Sequence, residues 1–197
     1  VGNIDKLAPN TFTPTATATS NSITVTASTT DQAKTADNGS SGIAGYRFSK
    51  DNGTTWTAYQ TSGTYTYSGL TQNQSYTIKV EAKDNAGNTT QASVTKTTGE
   101  VPSNITVSYS TTNWTNGNVV VTAKANVSGY TLQYNNGTTW VTYPDAGITF
   151  SKNGTVDFRL FDGTNGGSNV TGTVGNIDKL APNSFTPTAT STSNSVT

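Results

Sequence analysis

The chain reads Tyr76-Thr-Ile-Lys-Val-Glu-Ala-Lys83, then Asp84-Asn-Ala-Gly87, and then a second alternating segment that ends at Val94. Apolar residues occupy every second position of the first segment, which is the period of a β-strand with one buried face. Lys79 and Glu81 alternate with those residues and are therefore predicted to point outward. Because Asp, Asn and Gly favour turns, the stretch predicts two antiparallel strands joined by a tight turn.

Further strands are predicted on the amino-terminal side of this hairpin. Pro14 places the first of them at the edge of a sheet, because proline has no backbone N–H to donate. Asp51-Asn-Gly53 predicts another hairpin turn. With the hairpin, the chain has seven short strands at the spacing of an antiparallel β-sandwich over residues 5–98, the others being 11–18, 22–28, 43–49, 56–59 and 65–67.

Leu70 stands six residues before Tyr76, and the alternating strand and the Asp-Asn-Ala-Gly turn follow directly. This arrangement resembles the tyrosine corner, penultimate strand and final hairpin of fibronectin type III domains. Ala27 departs from that family, which usually carries a core Trp in its second strand. The chain is thus more similar to bacterial immunoglobulin-like or fibronectin type III-like surface repeats. Its joint, Gly-Asn-Ile-Asp-Lys-x-Ala-Pro, resembles the linkers of such repeats.

A second domain is predicted after the joint Gly99-Glu-Val-Pro102. Its motif Asn136-Gly-Thr-Thr-Trp140 repeats Asn52-Gly-Thr-Thr-Trp56 at an offset of 84 residues, so the two domains are divergent copies of one plan. The second is a smaller sandwich over residues 99–177, with strands at 105–109, 118–123, 130–134, 139–143, 148–150, 156–161 and 168–177. The predicted fold class is all-β, with two tandem antiparallel sandwiches of immunoglobulin-like or fibronectin type III-like type.

The decapeptide at residues 1–10 occurs again, letter for letter, at residues 174–183. The match continues to the last residue with three exchanges, at Thr11/Ser184, Ala18/Ser191 and Ile23/Val196. Duplication at a fixed offset is the signature of a tandem array. Residues 1–4 are predicted to end the preceding repeat and residues 178–197 to start the next. Because the last strand runs almost directly into the joint, neighbouring domains are expected to lie pole to pole.

The composition excludes several classes of function. His, Cys and Met are absent, which excludes triads with His or Cys, disulfides, and metal sites with nitrogen or sulfur ligands. The charge is balanced, with 11 basic and 11 acidic residues, so no nucleic-acid surface is expected. No segment is apolar enough for membrane insertion. Glu81 and Glu100 are the only Glu residues and offer no obvious pair across a cleft, so the chain is predicted not to be an enzyme.

Four aromatic residues have two competing interpretations, namely Trp56, Tyr59, Trp140 and Tyr143. A domain this poor in Leu and Ile needs aromatic area in its core, which favours a structural role. An exposed aromatic row on a strand would instead suit stacking on sugar rings. Trp114 lies outside the shared motif. It is therefore predicted to be the exposed Trp and the candidate ligand-binding residue.

Oxygen ligands are predicted to converge at the pole where the entering linker meets two loops. The candidate metal ligands are Asp5, Asp31, Asp37, Asp84 and Asn85, with Asn88 nearby and with Asp178 in the place of Asp5 for the next unit. Carboxylate and amide oxygens from a linker and two loops suit Ca²⁺ at a domain joint. The alternative is that Asp and Asn stand there only because turns favour them.

The function predicted from these features is that of a non-enzymatic stalk or spacer in a secreted or cell-surface, adhesin-type repeat protein. Its partners would be the neighbouring repeats of the same chain. One alternative is a module that binds a glycan or a host protein. Another is lateral self-association of the repeats into an extracellular filament.

Overall fold

The computed structural model of the protein describes residues 4–33, 39–189, 191–192 and 195–196. Within the first domain its strands are β1 Thr15–Ala18, β2 Ser22–Thr26, β3 Ile43–Ser49, β4 Thr64–Ser68, β5 Ser75–Asp84 and β6 Thr89–Thr97. They form two antiparallel sheets, ordered β1-β2-β4 and β3-β5-β6. The predicted all-β sandwich is confirmed, and so is the hairpin of β5 and β6.

The core of the first domain is a single layer of side chains between the two sheets. Its fully buried residues lie at alternate positions along their strands, namely Ile23, Val25, Phe48, Ile78, Val80 and Ala82. The intervening residues of the first sheet are largely threonines that face solvent. Thr24 and Thr66, for example, pair across β2 and β4 with their hydroxyl oxygens 2.8 Å apart. Threonine suits such a face because it favours extended backbone and is wetted without carrying charge.

The tyrosine corner is present. The Thr71 N–H donates to the Tyr76 hydroxyl oxygen at 3.1 Å. Leu70, immediately before this contact, is 3% exposed and belongs to the first core. The hydrogen bond therefore fixes the loop that enters β5 at the point where the loop turns into the core.

Two strand predictions in this domain are wrong in detail. The first strand begins at Thr15 and not at residue 11, because the Pro9 carbonyl accepts from the Thr90 hydroxyl and the Asn10 N–H donates to the Thr30 carbonyl. Residues 56–59 do not form a strand. Beside them, Gln60 makes one isolated antiparallel bridge to Tyr46.

The second domain repeats the architecture with strands β7 Ile105–Tyr109, β8 Val119–Ala125, β9 Thr131–Asn135, β10 Trp140–Thr142, β11 Ile148–Phe150, β12 Gly154–Phe161 and β13 Val170–Val174. Its sheets are ordered β11-β8-β7 and β10-β9-β12-β13. The buried residues between them are Val119, Val121, Val156, Phe158, Val174 and Ile177. None of the described residues belongs to a helix with the length and hydropathy needed to span a bilayer.

The last predicted strand is shorter than expected, since β13 ends at Val174 and not at Ile177. Ile177 is instead held by its backbone. Its N–H donates to the Asn153 side-chain oxygen at 2.8 Å, and its carbonyl accepts from the Asn153 amide at 3.1 Å. The Asp178 N–H donates to the Thr115 carbonyl at 2.9 Å. The second domain therefore holds the backbone up to the first residue of the predicted next repeat.

A short hairpin follows, formed by β14 Ser191–Thr192 and β15 Ser195–Val196. Its pairing of Ser191 with Val196 repeats the pairing of Ala18 with Ile23 between β1 and β2. Because those positions correspond in the duplicated sequence, the same local structure forms in both copies.

Loops at adjacent ends of the two sandwiches are joined by hydrogen bonds. The Asn165 side-chain amide donates to the Leu70 carbonyl at 2.9 Å and to the Ser20 carbonyl at 3.2 Å. The Gln72 amide donates to the Gly166 carbonyl at 2.8 Å, and the Ser20 hydroxyl donates to Asp162 at 2.5 Å. Loops, and not sheet faces, make these contacts, which is the geometry that a pole-to-pole arrangement requires.

We expect Tyr76→Phe to lower the free energy of unfolding of the first domain by about 0.5 to 1.5 kcal/mol, because the Thr71 N–H loses its acceptor. Chemical denaturation measures this difference. Tyr65→Phe is the matched control, since among the described residues its hydroxyl makes no hydrogen bond while its ring stacks on Phe48. Equal losses in the two variants would show that the corner contact does not contribute.

Candidate functional site

Three carboxylates converge at the end of the first domain where the chain enters. Asp5, Asp31 and Asp84 each offer an oxygen, and these oxygens all lie within 4.8 Å of one another. Asp84 is 1% exposed, while the other two are half-buried. These three residues are called the carboxylate cluster below.

Backbone N–H groups hold each carboxylate in place. Asp31 lies on the segment after β2 and accepts from Ser41 at 2.7 Å and from Gly42 at 2.8 Å. Asp84 ends β5 and accepts from the Asn88 N–H at 2.8 Å across the β5–β6 turn. Asp5 lies on the entering segment. The cluster thus joins three segments that are distant in sequence.

The Asp5 carboxylate is held as an anion. One of its oxygens accepts from the Leu7 N–H at 3.0 Å and the other from the Ser41 N–H at 2.9 Å. Hydrogen bonding from Ser41, and then from the Leu7 N–H, lowers the pKa of this carboxyl below its ordinary value. Asp5 is therefore ionised at neutral pH.

Like charges at this separation repel. Among the described residues no Lys or Arg forms an ion pair with the carboxylate cluster, and the ion pair that the described residues do form, between Arg47 and Glu81, lies outside it. A hard divalent cation with oxygen ligands would remove the repulsion. Ca²⁺ fits the donor set, because it takes carboxylates in irregular geometry and completes its shell with carbonyls and water.

The other predicted metal ligands are placed differently. The Asn85 amide nitrogen donates to the Ser41 and Gly42 carbonyls at 2.8 and 3.2 Å, so this side chain braces the Ser41 loop. Asp178 is exposed and accepts from the Leu180 N–H at 2.9 Å, which is the same local turn that Asp5 makes with Leu7. Asp37 lies outside the described residues.

Asn88 is the residue that ties the cluster together. Its side-chain amide donates to Asp84 at 2.8 Å, to the Leu7 carbonyl at 3.1 Å and to the Asp5 carbonyl at 3.3 Å. The sequence predicted that Asn88 lies near Asp5, but no pattern indicated that its amide bonds to the Asp5 and Leu7 carbonyls.

A second polar cluster covers the outer face of β3 and β5. The Glu81 carboxylate accepts from Arg47 Nε at 2.8 Å, from the Gln91 amide at 2.6 Å and from the Tyr59 hydroxyl. The Arg47 guanidinium lies 4.7 Å from the ring centre of Trp56 and 4.9 Å from that of Tyr59. Burial, together with the hydrogen bond to Glu81, raises the pKa of Tyr59 to about 12. Tyr59 is therefore a proton donor in this cluster at neutral pH.

Glu81 lies on the outer face, as predicted, because Val80 and Ala82 on either side of it are in the core. Its partners nevertheless cover it, so that it is 4% exposed. Burial alone would raise the pKa of its carboxyl, yet the hydrogen bonds from Tyr59, Gln91 and Arg47 outweigh it and lower the pKa.

The second domain has a related cluster. The Arg159 guanidinium lies 4.3 Å from the ring centre of Trp140 and 5.6 Å from that of Phe161, and its Nε donates to the Gln133 side chain at 2.9 Å. Trp56 and Trp140 are half-buried and lie outside both core clusters. The prediction that these two Trp residues close the cores is therefore wrong, because each covers an arginine on the outer face of a sheet.

Tyr143 and Tyr59 have opposite environments although they match in sequence. Tyr143 is a core residue, with its ring 5.6 Å from that of Phe158 and its hydroxyl accepting from the Ala123 N–H at 3.0 Å. The core interpretation is thus right for Tyr143 and wrong for Tyr59, which covers Arg47.

The cause is one extra residue in the first domain. In the second domain Val141 pairs with Tyr134, and Tyr143 pairs with Leu132. The two pairs are separated by two residues on each of the strands. In the first domain Thr57 pairs with Phe48, and Gln60 pairs with Tyr46. Thr57 and Gln60 are three residues apart, whereas their partners Phe48 and Tyr46 are only two apart. A one-residue offset moves a side chain to the opposite face of a sheet.

Trp114 is 75% exposed, as predicted. Its proposed role in ligand binding stays a prediction. Leu180 and Phe185 are also exposed, at 87% and 85%. Phe185 repeats Phe12, which packs against the core of the first domain.

No family model matches the chain. It is 37% identical over 110 residues to exoglucanase A and 38% identical over 120 residues to endoglucanase B, both of Cellulomonas fimi. It is also 33% identical over 129 residues to exoglucanase B of that organism. These matches cover 52%, 58% and 61% of the chain but only 12%, 11% and 11% of the three relatives. The chain therefore corresponds to about a tenth of each.

Among solved structures, a two-domain fibronectin type III segment of chicken tenascin aligns over 84% of this chain and 98% of its own, with a TM-score of 0.37 and 16% identity. The sheet orders of both domains and the tyrosine-corner contact of the first are typical of antiparallel sandwiches of the immunoglobulin-like or fibronectin type III-like fold class. The carboxylate cluster and the arginine–tryptophan clusters lie on loops and outer faces of these sandwiches, away from their cores.

We expect Glu81→Gln to lower the free energy of unfolding of the first domain at pH 7 by about 1.5 to 3 kcal/mol, because Glu81 accepts three hydrogen bonds as an anion. A carboxyl whose pKa is lowered on folding stabilises the protein above its unfolded pKa of about 4.3. The difference between the proteins should therefore shrink as the pH falls below that value.

Denaturation at a series of pH values, with EDTA present, measures this difference. Glu100→Gln is the matched control, because Glu100 is exposed and makes no hydrogen bond among the described contacts. A difference between Glu81→Gln and the parent that stays constant down to pH 2 would contradict an ionised Glu81 in the cluster.

Proposed function

We propose that this chain is a non-enzymatic spacer within a secreted or cell-surface protein built from tandem repeats. The observation that carries this proposal is the joint between the two domains, where Asn165 donates to two carbonyls of the first domain and Gln72 donates back to the second. Side chains bonded to backbone on both sides hold two sandwiches at a fixed spacing, which flexible Gly/Ser linkers do not.

The near-verbatim duplication supports the same function. A unit copied with three exchanges over its first 24 residues suits a role that depends on length or on many equal contacts. The chain corresponds to a small part of three glucanases, each much longer than the match. An array of this kind would hold a catalytic or adhesive domain away from the rest of its protein, and the glucanase relatives favour a catalytic one.

The spacing can be estimated from the strands. A sandwich with its loops spans roughly 35 to 40 Å along the strand direction, at about 3.3 Å per residue. Two domains joined end to end therefore extend the protein by about 70 to 80 Å per repeat.

The second joint, between one repeat and the next, is proposed to take Ca²⁺ at the carboxylate cluster. The linker supplies Asp5, and two loops of the following domain supply Asp31 and Asp84. Asp178 would serve in the next unit, because it occupies the place of Asp5 in the duplicated sequence. Its backbone N–H is bonded to Thr115 of the second domain. One residue would thus be fixed by its backbone to one domain and by its carboxylate to the next.

We expect Asn165→Ala to loosen the joint between the two domains without unfolding either, because it removes three hydrogen bonds to the first domain: those from the Asn165 amide to the Ser20 and Leu70 carbonyls and that from the Gln72 N–H to the Asn165 side-chain oxygen. Residual dipolar couplings should then need two independent alignment tensors, where the parent protein needs one. Thr164→Ala is the control, since it lies in the same loop and only its backbone N–H takes part in the described hydrogen bonds. A single shared tensor in Asn165→Ala would argue against a joint held by these contacts.

We expect millimolar Ca²⁺ to raise the melting temperature of the first domain by about 10 °C or more, because the ion binds the folded cluster and not the unfolded chain. Calorimetry with Ca²⁺, Mg²⁺ and EDTA measures this shift. Asp31→Asn should abolish it, whereas Asp145→Asn, on an exposed loop of the second domain, should leave it unchanged. The same melting temperature with Ca²⁺ and with EDTA would remove the ion from the proposal and leave the spacer function intact.

A further inference from the structure

The two domains are divergent copies, so each core position of one can be compared with its counterpart in the other. In the first domain Val25 pairs with Tyr65 across β2 and β4. In the second, Val121 pairs with Ile148 across β8 and β11. Both valines are completely buried. Ile148 therefore stands where the first domain has Tyr65.

The facing sheet differs in the same place. Phe48, opposite Thr57 in the first domain, corresponds to Tyr134, opposite Val141 in the second. The Tyr65 ring stacks on Phe48 with centres 5.5 Å apart, and Phe48 is completely buried. Ile148 has no aromatic ring that could stack on Tyr134, and Tyr134 is only half-buried.

A groove lies beside Tyr134 and Ile148 in the second domain. The groove has a volume of about 470 Å³, within the range of small-molecule sites. Tyr134, Ile148 and Phe150 form its apolar wall, and Asn135, Asn136 and Asp157 form its polar rim.

The rim presents hydrogen-bonding groups of both kinds. The side-chain oxygen of Asn135 accepts from the Gly137 N–H at 2.9 Å, and that of Asn136 accepts from Thr138 and Thr139 at 3.0 and 2.9 Å. Both oxygens are thus engaged, and among the described contacts both amide nitrogens remain available as donors. One oxygen of Asp157 accepts from Thr171 at 2.6 Å, which leaves the other as an acceptor.

These features select a class of ligand. No Lys or Arg lines the groove, so a phosphate or a carboxylate would have no countercharge there. An apolar wall with aromatic rings, facing amide donors and one carboxylate acceptor, instead matches a ring that has C–H groups on one face and hydroxyls around its edge. A pyranose has this chemistry.

We propose that the groove of the second domain binds one pyranose ring of a neutral oligosaccharide. The ring lies against Tyr134 and Phe150 and exchanges hydrogen bonds with Asn135, Asn136 and Asp157. This site is separate from the outer-face tryptophans and from the carboxylate cluster. It goes beyond the spacer function and does not depend on it.

The test is a titration of the isotope-labelled protein with cellotetraose, maltotetraose and the anionic oligomer tetragalacturonate, followed by amide chemical shifts. Residues of the groove should shift with at least one neutral tetramer, with a dissociation constant on the order of 1 mM. They should not shift with tetragalacturonate. Absence of shifts with both neutral tetramers at tenfold that concentration, or shifts centred on another surface, would overturn the proposal.

Ile148→Tyr is the decisive variant, because it places a ring beside Tyr134 as Tyr65 lies beside Phe48 in the first domain. It should keep or raise the melting temperature and weaken binding by at least about tenfold. Asp157→Ala, which removes the acceptor, should also weaken binding and serves if the first variant does not fold. Lys124→Ala is the control, because Lys124 is exposed on β8 and does not line the groove. Trp114→Ala tests the competing site, since this Trp is 75% exposed and lies outside the groove. Binding that survives both groove variants, or that is lost in Trp114→Ala, would place the sugar elsewhere and refute the groove.

Discussion

The scarcity of apolar residues is the constraint on which the rest of this structure depends. Only 31% of the chain is hydrophobic, and it contains no Met or Cys to fill gaps. Such a chain can bury one layer of side chains between two sheets and little else, so strands such as β2, β5 and β12 alternate core residues with Ser, Thr or charged residues on the other face. A two-sheet sandwich suits such a chain, because it needs only one layer of apolar side chains.

Polar contacts therefore hold the loops and the domain joint in place, a task that apolar packing performs in proteins with thicker cores. Loops and joints are held by Asp, Asn and Gln side chains bonded to backbone groups, as in the Asn88 contacts around the carboxylate cluster and the Asn165 contacts between domains. On the outer faces, arginines are covered by tryptophans, and Glu81 is buried under its own partners. The polar contacts at the poles of each domain therefore follow from the same constraint as the fold.

Comparison of the two domains shows that changes of one or two residues alter a surface while the fold stays the same. One extra residue before Gln60 turns Tyr59 outward while its counterpart Tyr143 stays in the core. The aromatic pair Tyr65 and Phe48 of the first domain is replaced by Ile148 and Tyr134 in the second, where both residues line a groove. Neither change disturbs the alternation that specifies the sheets, so the fold tolerates both.

The sequence by itself determined the all-β class, the hairpin of β5 and β6, the tyrosine corner and the exposure of Trp114, because each depends on local periodicity or on residues close in the chain. It also indicated which acidic residues would lie at the entering pole. Only the tertiary structure decided that Trp56 and Trp140 cover arginines, that Glu81 is buried, and that Asn165 joins two domains. Those outcomes depend on strand register and on side chains from distant segments, and a one-residue offset that no local pattern reveals is enough to reverse them.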